Sequence, residues 1–224
     1  MRFVISHKMA RYFLKLSTIA SIVAMSSWSH LKAQVSITDA SVHSLLQCLT
    51  DSSSKNVYRW NRADVADELV RRSPVDSLVA AYGFISSTQQ RSFLLASVLY
   101  QIQDSRIDSL MLSILTNSIT EDNYYSAMYL AKHGNSSALS ILNAYFWNWP
   151  VSSWQMSSTA ALFGYHKYYP ATHTLIKALG AASLNLSTAA LEALVRLYPQ
   201  SPKFSSAPEA VKYYRQLIDD QQIK

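Results

Sequence analysis

The sequence predicts an all-α fold, an α-solenoid of about five stacked antiparallel helix pairs. Three observations carry that expectation. A helix–turn–helix pattern recurs around Leu78, Leu110, Ile141 and Leu175, at steps of 32, 31 and 34 residues. The whole chain holds only four glycines. Apolar residues return at helical spacing throughout, with no run of the strict alternation that marks a strand. A repeat of this length means stacked helix pairs, because one pair alone cannot bury its apolar face.

The N-terminus stands apart. Residues 1–33 carry five basic side chains (Arg2, Lys8, Arg11, Lys15, Lys32) and no acid. The apolar stretch from Leu16 to Trp28 is 13 residues long, against the ~20 a bilayer span needs. A basic start, a short apolar core and small residues soon after predict a secretory signal peptide cut after Ala33. Export to a periplasm or secretion follows, with no stable membrane span once the peptide is removed. Residues 34–224 then hold 15 Lys/Arg against 14 Asp/Glu. The basic charge of the whole chain therefore belongs mostly to the targeting segment. It gives no basic stripe of the kind nucleic acid requires.

Cys48 is the only cysteine, so no intramolecular disulfide forms. Many small secreted domains are disulfide-rich, so its absence favours a bacterial envelope. Cys48 itself reads as a small buried hydrophobe.

An N-terminal segment, 34–58, carries a short helix over 40–49 and a Ser-rich loop. The repeat domain runs over 59–224. Asn61 caps a helix over 62–72. Ser73 is expected to cap the next, with Pro74 at its first position and a stripe of Val75, Leu78, Val79 and Tyr82. The second pair opens at Ser87-Thr-Gln-Gln90, which has capping-box spacing, with Leu95, Val98, Leu99 and Ile102 inward. Asp104 caps its partner, which buries Ile107, Leu110, Met111 and Ile114. The third pair places Tyr124, Ala127, Met128 and Ala131 inward, turns at Gly134-Asn135, and continues through Ala138, Ile141, Leu142 and Tyr145. The fourth uses Met156, Thr159, Ala160 and Phe163, turns at Tyr169-Pro170, and resumes with Ala171, Thr174, Leu175 and Ala178. The fifth begins at Ser187. A second capping box, Ser206-Ala-Pro-Glu209, starts the last helix, which carries Val211, Tyr214 and Ile218.

Three stretches carry a resemblance: Leu130-Ala-Lys-His-Gly-Asn-Ser-Ser-Ala-Leu-Ser-Ile-Leu142, Ser158-Thr-Ala-Ala-Leu-Phe-Gly-Tyr165 with Tyr169–Leu179, and Ala189-Ala-Leu-Glu-Ala-Leu-Val195. They resemble the short bacterial form of the HEAT-like (armadillo-type) repeat, with an alanine-rich first helix, a tight turn and an apolar second helix. The family's usual turn aspartate is replaced by Asn135 in one unit and Pro170 in another. The resemblance implies a protein-interaction scaffold.

No catalytic, cofactor or metal site is expected. His43, His133, His166 and His173 form no ligand-spaced pair. Nucleophile elbows, phosphate loops and dinucleotide fingerprints are absent. The acidic pairs Asp64/Asp67-Glu68 and Glu121-Asp122 sit near helix starts, where they complement the dipole and stay solvated. The partner-binding candidates are Trp149, Trp154, His173, Lys177 and Asn143. They comprise rings of the aromatic segment Tyr145–Trp154 and polar positions on the second helices. Trp147, continuing the third pair, is expected in the core, and Trp149, preceding Pro150, part-exposed. In each of Tyr124-Tyr125, Tyr168-Tyr169 and Tyr213-Tyr214, one ring suffices for the core. The expected function is a non-enzymatic, exported protein-binding or assembly scaffold of the cell envelope. A periplasmic inhibitor or immunity-type protein that blocks an enzyme is the alternative. In either case a protein is the expected partner and nucleic acid is not. N-terminal sequencing of the exported product should read from Gln34, or from His30 if the earlier site is used. An intact Met1 would contradict the signal peptide.

Overall fold

A computed structural model describes residues 36–50, 60–149 and 151–220. Residues 1–35, with the expected signal peptide, the Ser-rich loop, Pro150 and residues 221–224 lie outside the described residues. The described chain holds eleven α-helices, three short 3₁₀ turns and no strand. The helices are α1 (Val42–Thr50), α2 (Arg62–Arg72), α3 (Val75–Phe84), α4 (Thr88–Ser97), α5 (Ser105–Ile114) and α6 (Glu121–Lys132). They continue with α7 (Ser136–Ala144), α8 (Ser153–Tyr165), α9 (Thr172–Leu179), α10 (Leu184–Leu197) and α11 (Ala207–Asp219). The all-α class is as predicted. The breaks near 73, 104, 135 and 169 all fall between helices.

The chain divides into two compact units, at Pro74/Val75. In the first, α1 packs on α2, burying Leu45, Leu49, Val65 and Leu69. Glu68 is buried yet accepts from Arg71 Nε at 2.8 Å and from Arg72 Nε at 2.6 Å. These bonds hold its carboxyl well below the usual range, at about 2. The Arg72 guanidinium also donates to the carbonyls of Ala40, Ile37 and Thr38. One arginine thus satisfies three carbonyls at the first 3₁₀ turn, Ile37–Asp39. The helix expected to open the repeat array, α2, therefore groups with the N-terminal segment.

In the second unit each helix packs on its near neighbours in sequence. The series α4, α6, α8, α10 is in contact step by step, and so are α3 with α5 and α9 with α11. Links between the two series run through α5–α6, α6–α7 and α9–α10. The first helices of the pairs start at residues 88, 121, 153 and 184. Four of the hydrogen bonds that join one pair to the next keep nearly the same interval. Ser92 to Asp122, Gln155 to Tyr125, Tyr124 to Gln155 and Thr174 to Asn143 all span 30 or 31 residues. The sequence period is thus the stacking period.

Helix α6 is the hub, with nine of its twelve residues buried. Helices α3, α4, α5 and α8 are each tied to it by a polar group. Asp122 accepts from Ser92 Oγ of α4 at 2.7 Å and from Tyr82 Oη of α3 at 3.1 Å, with Arg91 Nε 3.1 Å away. Burial, reinforced by the Asp122 charge, pushes the Tyr82 hydroxyl up to about 12. Tyr124 Oη donates to Gln155 O of α8 at 2.8 Å, and Tyr129 Oη to the Asp108 carboxylate of α5 at 2.7 Å. Asn123 closes the preceding loop, accepting from Thr116 N at 2.9 Å and donating to Thr116 O at 2.7 Å. Asp122 is therefore not a solvated dipole complement. A middle helix of the stack is covered on both flanks, so its polar residues must be paired internally.

Several caps stand as read: Asn61 accepts from Ala63 N, Asp104 from Arg106 N and Asn135 from Ala138 N, and Gly134 takes φ 80°. Others differ. Ser73 adopts φ 48° and ends α2, its hydroxyl donating back to Val70 O. Ser87 makes no side-chain cap. In the last box, Ser206 Oγ accepts from Glu209 N, but the Glu209 carboxylate turns to Ser205. The fifth pair starts at Leu184, capped by Ser183. Ser187 instead donates to Leu179 O at 2.9 Å, satisfying the end of α9. Cys48 is half-buried rather than enclosed.

The most extensive helix contact is α8 on α10, and Gly164 makes it possible. A Cβ there would stand 2.6 Å from Ala193 Cα, which is backbone and cannot yield. In an unobstructed helix Gly→Ala raises stability by about 0.4–1 kcal/mol. Here the clash should reverse the sign. Gly164→Ala should cost about 1–3 kcal/mol and lower the melting temperature by about 2–4 °C for each kcal/mol. A raised melting temperature would contradict the close approach.

Candidate functional site

The aromatic segment between α7 and α8 is not a continuation of α7. The helix ends at Ala144, and a turn follows in which Asn148 N donates to Tyr145 O at 2.8 Å. That turn rotates the next side chains off the helical stripe and reverses two expectations. Trp147 is 39% exposed, whereas Trp149 is 6% exposed, wedged edge-on between Tyr124 and Tyr145 at ring distances of 5.6 and 5.8 Å. Phe146, stacked toward Phe163, is the residue that continues the core. Trp149 is thus a core plug of the third pair. Its indole N–H has no acceptor among the described residues.

Trp154 is the exposed ring of the segment, at 68%. It sits in the first turn of α8, whose start is fixed by a full capping box. Ser152 Oγ accepts from Gln155 N, and Gln155 Oε1 accepts from Ser152 N at 2.8 Å. The other end of Gln155 donates to Tyr125 Oη at 2.7 Å, and its carbonyl accepts from Tyr124 Oη. Gln155 therefore locks the rim between α6 and α8. Trp154, Tyr125, Tyr124, Met128 and Tyr100 surround a notch of about 170 Å³ between α4, α6 and α8. Burial raises the hydroxyls of Tyr100, Tyr124 and Tyr125 above the ordinary tyrosine value. Near neutral pH all three stay protonated and able to donate. Lys132 Nζ lies 4.8 Å from the centre of the Tyr100 ring and puts a cation beside the notch.

The remaining candidates lie in the α7–α9 region. Asn143 is consumed structurally: it accepts from Thr174 Oγ1 at 2.7 Å and donates to Pro170 O at 3.2 Å, stapling the third pair to the fourth. His173 and Lys177 are exposed on α9, and Lys177 Nζ stands 4.9 Å over the Trp147 ring. Of the five candidates, the structure brings His173 and Lys177 together. It places Trp154 on the other helix series, buries Trp149, and ties the half-buried Asn143 into the contact between the third and fourth pairs. Tyr125 and Gln155 were missed as rim residues. The spacing Ser152-x-x-Gln155 was the available signal, since a capping-box glutamine is a fixed side chain.

The tyrosine pairs divide only in part: Tyr124 and Tyr214 are buried with Tyr125 and Tyr213 half-buried, whereas Tyr169 is exposed beside a half-buried Tyr168. Among the described residues no three His, Cys, Asp or Glu side chains gather as a metal ion requires. No described helix is long and apolar enough to cross a membrane. No protein-family model, no curated protein and no solved structure matches the chain. The account of the site therefore rests on its geometry.

The two tryptophans separate cleanly by experiment. Trp149→Ala should cost about 3–5 kcal/mol by opening a cavity, and Trp149→Phe much less, since it also removes the unpaired N–H. Trp147→Ala should change stability by about 1 kcal/mol or less. Equal melting temperatures for the two alanine variants would contradict the reversed burial.

Proposed function

We propose that this chain is a non-enzymatic protein-binding scaffold, an α-solenoid of HEAT-like pairs exported to the cell envelope. The observation that carries the reading is the Trp154 notch. Its volume, about 170 Å³, falls below the roughly 300–1,000 Å³ of small-molecule pockets. It suits a single large side chain of a partner. Its lining combines an exposed tryptophan, three tyrosines and a methionine, residue types enriched at interfaces. The rim is also held before binding, through Gln155 and the stacked helices beneath it. That reduces the ordering cost of association.

The step-by-step contacts of α4, α6, α8 and α10 support the solenoid arrangement, and the 30–31-residue hydrogen bonds support the repeat. The buried Asp122, Tyr124 and Tyr129 are consumed in joining helices, which favours recognition over turnover. The basic, acid-free start supports export. A photo-crosslinking residue at Trp154 or Tyr125, with the chain expressed in its own envelope, should yield one discrete adduct. A crosslinker at exposed Phe84 of α3, away from the notch, should not yield that adduct. Labelling of the same mixture of proteins from all three positions would overturn the reading.

A further inference from the structure

The second helix series carries a separate feature, at α9 and α11. These helices pack together and leave between them an open cleft of about 400 Å³. Its floor is Ile176 and Ile218; its rim is His173, Lys177, Arg215 and Asp219. Arg71, Arg72, Arg91 and Arg106 each sit on a carboxylate, whereas Lys132, Lys167, Arg196, Lys203 and Lys212, like the two rim cations, pair with no described carboxylate. Lys177 and Arg215 form no ion pair with Asp219 or with any other described carboxylate. Lys177 is instead held over the Trp147 ring, on a side of α9 already fixed by the Thr174–Asn143 bond. A cation stacked on an indole keeps its charge and loses freedom, so it is presented at a fixed place.

We propose that the α9–α11 cleft docks an acidic segment of a partner protein, one that alternates carboxylates with aliphatic side chains. The carboxylates pair with Lys177 and Arg215, the latter able to bind in a bidentate fork. An aliphatic side chain covers Ile176 and Ile218. The proposal commits to a protein segment for two reasons. An apolar floor between the cations has no use for a phosphodiester backbone. Asp219 on the rim, followed by Asp220, repels a continuous polyanion, whereas a peptide places its carboxylates singly. This surface goes beyond the Trp154 notch and involves none of its residues.

The probe is a short fluorescent peptide alternating glutamate and leucine, with a matched peptide carrying glutamine for glutamate. Binding to the folded chain is followed by anisotropy at low and at physiological salt. The glutamate peptide should bind at least about tenfold more tightly than the glutamine peptide, and weaken as salt rises. Lys177→Ala and Arg215→Ala should each reduce its affinity on the order of tenfold, with partial recovery in Lys177→Arg. Trp154→Ala should leave it unchanged, which separates this site from the notch. Both truncations are at exposed positions, and a melt of each confirms folding. Equal binding of the two peptides, no binding of either, or indifference to both truncations would overturn the proposal. So would tighter binding of a single-stranded oligonucleotide than of the glutamate peptide.

Discussion

Helix α6 can be covered on both flanks only if its buried carboxylate, amide and phenol groups find partners, and the second unit is arranged around that constraint. An unpaired buried polar group costs roughly 1–3 kcal/mol, and a charged one more. α6 buries Asp122, Asn123 and Ser126 along with Tyr124 and Tyr129. The partners it recruits are the hydroxyls of Tyr82 and Ser92, the Gln155 carbonyl and the Asp108 carboxylate. They come from α3, α4, α8 and α5 respectively. Apolar burial supplies the drive to stack, but it is non-directional. The hydrogen bonds at a separation of one repeat are what set the register. Ser126 Oγ, which has no partner among the described residues, is the one exception on this helix.

The two proposed binding surfaces inherit this framework. Tyr124 is at once a core residue, a bond to α8 and a wall of the notch, so the notch rim is rigid because the helices beneath it are. Asn143 plays the same part on the other series. Its bonds to Thr174 and Pro170 fix α9 against α7, and with it the positions of Trp147 and Lys177. A residue expected to bind a partner is thus one that holds the neighbouring helices in place.

The all-α class and the repeat interval were legible because both depend on apolar spacing, which is local. The buried stripes through Val98, Ile107, Ala127, Ala138 and Leu175 emerged where the spacing placed them. What escaped the reading depended on a third layer of structure. Asp122 looked solvated because helical periodicity identifies one buried face, and a helix in mid-stack has more than one. Trp147 and Trp149 exchanged roles because α7 stops at Ala144. A turn of four residues then decides which ring faces inward, and no stripe encodes that. Ser187, read as the start of the fifth pair, lies one turn inside a helix capped by Ser183, because its hydroxyl closes the end of α9. The cleft between α9 and α11 was half visible: His173 and Lys177 stood out as polar positions on a second helix, but Arg215 joins them only through packing.

Native-state hydrogen exchange on the folded chain addresses the hub most directly. Amides open with free energies set by the contacts around them. If α6 registers the stack, its amides exchange in the slowest class, together with the facing turns of α4 and α8. Those of α11, at the end of the described stack, exchange faster. If the α6 amides exchange as readily as those of α11, the stack is held by apolar contact alone, and the account built on Asp122, Tyr124 and Tyr129 is contradicted.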